Sequence, residues 1–147
     1  MNSGVARATY EDVNLILKLY DMRREERMRQ ARAWFSASFK AKDMDDFAAL
    51  CPPGSEQNAS YRMVLTYWEM VASFLTTGVL NGELFYQSGR ELLFVWERVR
   101  DLVPVMREQF KHPNEYKNLE TAAKTYIDWW NKQTPGAFDA FSKRVRG

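Results

Sequence analysis

The segment Tyr61–Thr76, YRMVLTYWEMVASFLT, constrains the fold of this chain more than any other. At helical spacing, Tyr61, Val64, Leu65, Trp68, Val71, Ala72 and Leu75 form one apolar stripe. Met63, Tyr67, Met70 and Phe74 form a second beside it, and the polar residues Arg62, Thr66, Glu69, Ser73 and Thr76 are confined to one narrow row. A helix that is apolar over most of its circumference must be enclosed by other helices. The segment therefore predicts the central helix of a bundle.

The flanking sequence supplies partners of the same kind. Thr9 with Asp12 three residues on resembles a capping box and predicts a helix start, with Asp in place of the usual Glu or Gln. Val13, Ile16, Leu17, Tyr20, Met28, Ala31, Phe35 and Phe39 then recur at helical spacing, predicting one helix from Tyr10 to Phe39, about 45 Å long. A short helix begins near Asp43 and is stopped by Pro52-Pro53-Gly54. Gly78 suits a left-handed helix terminus, and Asn81 suits the cap of a short helix GELFYQS. Ser88 with Glu91 reads as a second capping box. It opens a stripe of Leu92, Val95, Trp96, Val99, Val103, Met106 and Phe110 that runs through Pro104, as a kinked helix or two nearly collinear ones. Tyr116, Leu119, Ala123, Tyr126, Ile127 and Trp130 give the next stripe. Thr134-Pro135 starts a last helix whose Phe138, Phe141 and Val145 face one way. The expectation is an all-α, single-domain bundle over residues 1–147, with a long N-terminal helix and about five to seven helices in all.

Composition agrees and removes several kinds of chemistry. At 147 residues the chain can bury a core without disulfides or metal. A net charge of +2 is too balanced for a dedicated nucleic-acid binder. Cys51 is the only cysteine, which excludes an intramolecular disulfide and thiolate zinc clusters, and fits a reducing, cytoplasmic setting. The first residues lack the basic-then-apolar layout of a signal peptide, and no apolar run approaches the ~20 residues of a membrane span. A di-iron bundle needs Glu-x-x-His pairs, but the sole histidine is His112 and no such pair occurs. Glu108 and His112 alone make a poor metal site next to Pro113. A Cys51–His112 nucleophile pair lacks a recognisable oxyanion loop, and no glycine-rich phosphate loop is present. Glu69, Glu97 and Glu120 could form a hydrolytic carboxylate group, but partners such as Arg62, Arg98 or Arg107 favour structural ion pairs. The charged stretch RREERMRQAR reads as a solvated helix face, and the basic tail FDAFSKRVRG as a helix docked on the bundle rather than on a membrane. No catalytic residue, cofactor or metal is assigned.

Trp-Glu occurs twice, at Trp68-Glu69 and Trp96-Glu97, 28 residues apart. Each tryptophan sits inside its apolar stripe, so core packing explains the recurrence without an internal repeat. The other possibility is an inter-helix pocket lined by Trp68, Glu69, Trp96, Glu97 and Arg98. Trp34 and Phe35 point about 100° apart on one helix, so one can serve the core while the other meets a second chain.

YWEMVASFLTTGVLNGELF, LLFVWERVRDLVPVMREQF and HPNEYKNLETAAKTYIDWW together resemble a bacterial family of small, mostly helical proteins with no assigned function. The resemblance covers Val13 to Trp130 and implies an all-α fold without supplying catalytic residues. Members of that family often look membrane-anchored through an N-terminal hydrophobic segment, which this sequence lacks. The function expected first is a non-enzymatic helical interaction or scaffold module that forms a homodimer or meets another protein. The alternatives are an enzyme or small-molecule binder using the Trp/Glu pocket, and a membrane-peripheral or nucleic-acid accessory protein.

Overall fold

The computed structural model describes residues 7–147, all of whose regular elements are helices. In chain order these are α1 (Tyr10–Arg23), α2 (Glu26–Ser38), α3 (Met44–Leu50), α4 (Glu56–Thr76), α5 (Gly82–Tyr86), α6 (Glu91–Val99), α7 (Val103–Gln109), α8 (Lys117–Gln133) and α9 (Ala137–Arg146). They surround one hydrophobic core. The central place predicted for the Tyr61–Thr76 segment holds: α4 packs most extensively against α8 and α2, and α6 joins α4, α8 and α9. Val64, Leu65, Trp68, Val71 and Ala72 are fully enclosed, while Arg62, Thr66 and Thr76 of the polar row stay exposed.

The single long N-terminal helix is not formed. The chain breaks at Arg24-Glu25, where Glu25 leaves helical geometry (φ −58°, ψ 144°). Its carboxylate accepts the N–H groups of Arg27 (2.7 Å) and Met28 (3.3 Å) and so caps α2. The break falls in the stretch with the weakest apolar stripe, where nothing in the core holds a straight helix together. With the Leu92–Phe110 stripe also divided, nine helices occur among the described residues instead of five to seven. The Leu92–Phe110 stripe is two helices, with Pro104 in the first turn of α7 and Phe110 exposed beyond its end.

Two predicted helix starts also differ. Ser88 and Glu91 form no capping box; α6 begins without a side-chain cap, because Glu91 is drawn to Arg32 instead (2.7 Å twice). α9 starts at Ala137 after Gly136 in a left-handed conformation (φ +88°), not at Thr134-Pro135. The capping box of Thr9 and Asp12, the cap at Asn81 and the left-handed Gly78 (φ +82°) form as the sequence requires. The basic tail docks on the bundle, with Phe138, Phe141 and Val145 buried and α9 packed on α6 and α8.

Candidate functional site

The residues singled out in sequence do not converge on one pocket. Glu69 projects from α4 to the start of α8, where its carboxylate accepts the backbone N–H of Leu119 (2.8 Å), the backbone N–H of Asn118 (3.3 Å) and the Asn118 amide (3.0 Å). Tyr116, the residue before α8, has φ +55° and offers no side-chain cap of its own. A carboxylate from a neighbouring helix therefore satisfies orphan donors at a positive helix end. Glu120 pairs with Arg107 at 3.1 Å, as expected of a structural carboxylate, whereas Arg62 bonds Asn58 rather than a carboxylate.

Glu97 and Arg98 occupy a different corner. Glu97 is 2% exposed; its Oε1 accepts the Ser142 hydroxyl (2.6 Å) and lies 3.5 Å from Arg100 Nε, while Oε2 accepts no hydrogen bond. Arg98 donates to the carbonyls of Phe39 (2.8 Å), Ser36 (3.3 Å), Phe35 (3.4 Å) and Val145 (2.9 Å). It thereby closes the C-terminal end of α2, where a cation complements the dipole. Burial lowers its pKa from the ordinary arginine value, and no carboxylate opposes that shift.

Trp68 and Trp96 are core residues, 1% and 6% exposed. A space against Trp68 measures about 20 Å³, room for one water. Its indole N–H finds no protein acceptor, contrary to the expectation for an enclosed tryptophan. Phe35 is buried and stacks on Phe39 (4.8 Å), and the half-buried Trp34 meets both edge-on, so these aromatics serve their own bundle. Cys51 is buried and its thiol is pushed up to about 11 by desolvation. Among the described residues no cluster of three or more His, Cys, Asp and Glu could hold a metal, and no helix is long and apolar enough to cross a membrane.

The surface that does stand out is the outer face of α1. Leu19 is buried, Leu15 and Ile16 pack against the core, and the Tyr67 hydroxyl donates to the Leu19 carbonyl (2.6 Å). Asp12 accepts the Asn81 N–H (2.9 Å) and pins the start of α1. These contacts turn Tyr10, Val13, Leu17 and Tyr20 outward, with Tyr10 89% and Leu17 56% exposed. Val13, Leu17 and Tyr20, which recur at helical spacing with Ile16 and Met28 in the sequence, face solvent. The signal was present all the same: positions 10, 13, 17 and 20 follow heptad spacing, while 12, 15, 16 and 19 follow a second, inward face.

No match was found among curated proteins or among solved structures. The family model described as Domain of unknown function (DUF4760) matches residues 8–134, from just before α1 to the residue after α8. The chain belongs to the DUF4760 family.

Proposed function

We propose that this protein is a helical interaction module that self-associates through the outer face of α1. The observation that carries this reading is the exposed row of Tyr10, Val13, Leu17 and Tyr20 at heptad spacing on an otherwise docked helix. Two large aromatics and two aliphatics in one line cost free energy when left in water, and such lines mark contact surfaces. Charge selects a second copy in antiparallel orientation. Beside the row lie the exposed residues Glu11, Asn14, Lys18 and Asp21. An antiparallel two-fold axis near position 15 sets Val13 against Leu17 of the other copy and Tyr10 against its Tyr20. It also brings Glu11 beside the other copy's Lys18, and opposes the two helix dipoles.

The test is sedimentation equilibrium of the wild type and of Leu17→Glu. A wild-type mass rising from 17.3 kDa to twice that value with concentration, and a variant fixed at 17.3 kDa, are expected. A wild type that stays monomeric at high micromolar concentration overturns the proposal. Because Leu17 is exposed, the variant should keep the wild-type fold, which circular dichroism checks.

A further inference from the structure

The contact that docks the start of α1 also holds the side-chain amide most open to attack by its own backbone. Asn81-Gly82 is the one place where an asparagine precedes a glycine. At such a pair the glycine nitrogen, unshielded by a Cβ, can attack the asparagine side-chain carbonyl carbon and close a five-membered imide. The chain must first rotate at the asparagine ψ, so that this nitrogen swings round to the Cβ side. A glycine neighbour makes that rotation easy in a flexible chain.

The fold holds Asn81 away from that geometry. Its ψ of 120° turns the Gly82 nitrogen far from Cβ. Its side-chain carbonyl accepts the Leu84 N–H (2.9 Å), and its own N–H is held by the Asp12 carboxylate (2.9 Å). Asn81 is only half-buried, so hydrogen bonds rather than enclosure keep it closed. We propose that Asn81 is a deamidation site that the docking of α1 keeps shut. When Asp12 lets go, the first turn of α5, a helix of five residues, can open. The Gly82 nitrogen then gives up its proton and bonds to the Asn81 side-chain carbon. The side-chain amide leaves as ammonia, and water opens the imide to isoaspartate or aspartate. Isoaspartate lengthens the backbone by one methylene and removes the cap on Leu84. Either product sets a carboxylate beside that of Asp12, and like charges resist redocking. The reaction is therefore a one-way release of the start of α1.

Peptide mapping by mass spectrometry tests this on the full chain incubated at mildly alkaline pH, beside the free peptide VLNGEL. Conversion at Asn81 in the folded chain should be at least about tenfold slower than in the peptide, because it waits for a local opening. Asp12→Asn should speed it at least about fivefold, as expected when a hydrogen bond to a charged group is weakened. Adding Gly82→Ala to Asp12→Asn should slow it again, since a Cβ shields the attacking nitrogen. That Cβ would meet the hydroxyl end of Tyr86 at 3.0 Å, which is free to shift. Converted wild type, separated by ion exchange, should show lower amide protection along the first turn of α1 than unconverted protein. A folded-chain rate equal to that of the peptide overturns the proposal. So do no conversion at Asn81 in any chain, equal rates in wild type and Asp12→Asn, or unchanged protection in the converted product. The chemistry is read at Asn81 itself, so failure here leaves self-association through α1 standing.

Discussion

Glu69 shows how much one side chain can decide. Its carboxylate closes the start of α8 from α4, and it stands next to Trp68, whose ring fills the centre of the core. Glu69→Ala strands two helix-terminal N–H groups in a half-buried place, so a loss of about 1–3 kcal/mol is expected in urea unfolding. Glu69→Gln keeps an acceptor and should lose less. Equal, negligible losses for both would mean that water satisfies α8 unaided. The sequence shows Glu69 in the polar row of its helix but cannot show that the row faces the end of another helix. Gly89 is the opposite case: a Cβ there would lie 2.4 Å from the Phe85 ring only four residues earlier, a local constraint set by how the chain turns between α5 and α6.

Among the elements, α1 depends on a charge at its start. Asp12 caps its own helix and accepts the Asn81 N–H across to α5, and these hydrogen bonds lower its pKa from the ordinary 3.8. A carboxyl whose folded pKa is lowered stabilises the fold above its unfolded value, and that contribution fades as pH falls through the folded value. The docking of α1 should therefore loosen below about pH 4, seen as lower amide protection factors, taken against the intrinsic rate at each pH, at Asn81 and along the first turn of α1. Asp12→Asn should show that loosening at neutral pH and lose the acid dependence. Protection factors at these amides unchanged by acid in the wild type would contradict this role.

The elements also show what the sequence carries and what it does not. Central α4, the Thr9 and Asn81 caps and the docked tail were legible because their apolar periodicity or capping chemistry is local. The break before α2 was not, because Glu25 ends one helix and caps the next with no glycine or proline to mark it. The outward face of α1 was hidden for a related reason. A helix with two apolar stripes does not say which one the core takes; Tyr67 and Asn81, far along the chain, decide it. A cleft between the α2–α3 connection and the end of α9, lined by Lys40, Lys42 and Arg144, joins residues about a hundred positions apart, and neither FKAK nor SKRVRG signals the other.

For the whole molecule, the case for a partner has changed its footing. A long, uncommitted first helix is absent, and Trp34 and Phe35 belong to their own bundle. What supports self-association is the outer row of α1 and the charges beside it. The antiparallel arrangement places the two copies of Asn14 close to the axis. The two copies of Asp21 would be roughly 18 Å apart along the helix direction, from a rise of about 1.5 Å per residue. Cys51 is buried with its thiol pushed up to about 11, so a cysteine placed on α1 is the reactive one. The decisive measurement is therefore cross-linking of Asn14→Cys and Asp21→Cys with a short bismaleimide at micromolar protein. The account predicts a covalent dimer for Asn14→Cys and little for Asp21→Cys. No cross-linked dimer from Asn14→Cys, or equal yields from both, would contradict it.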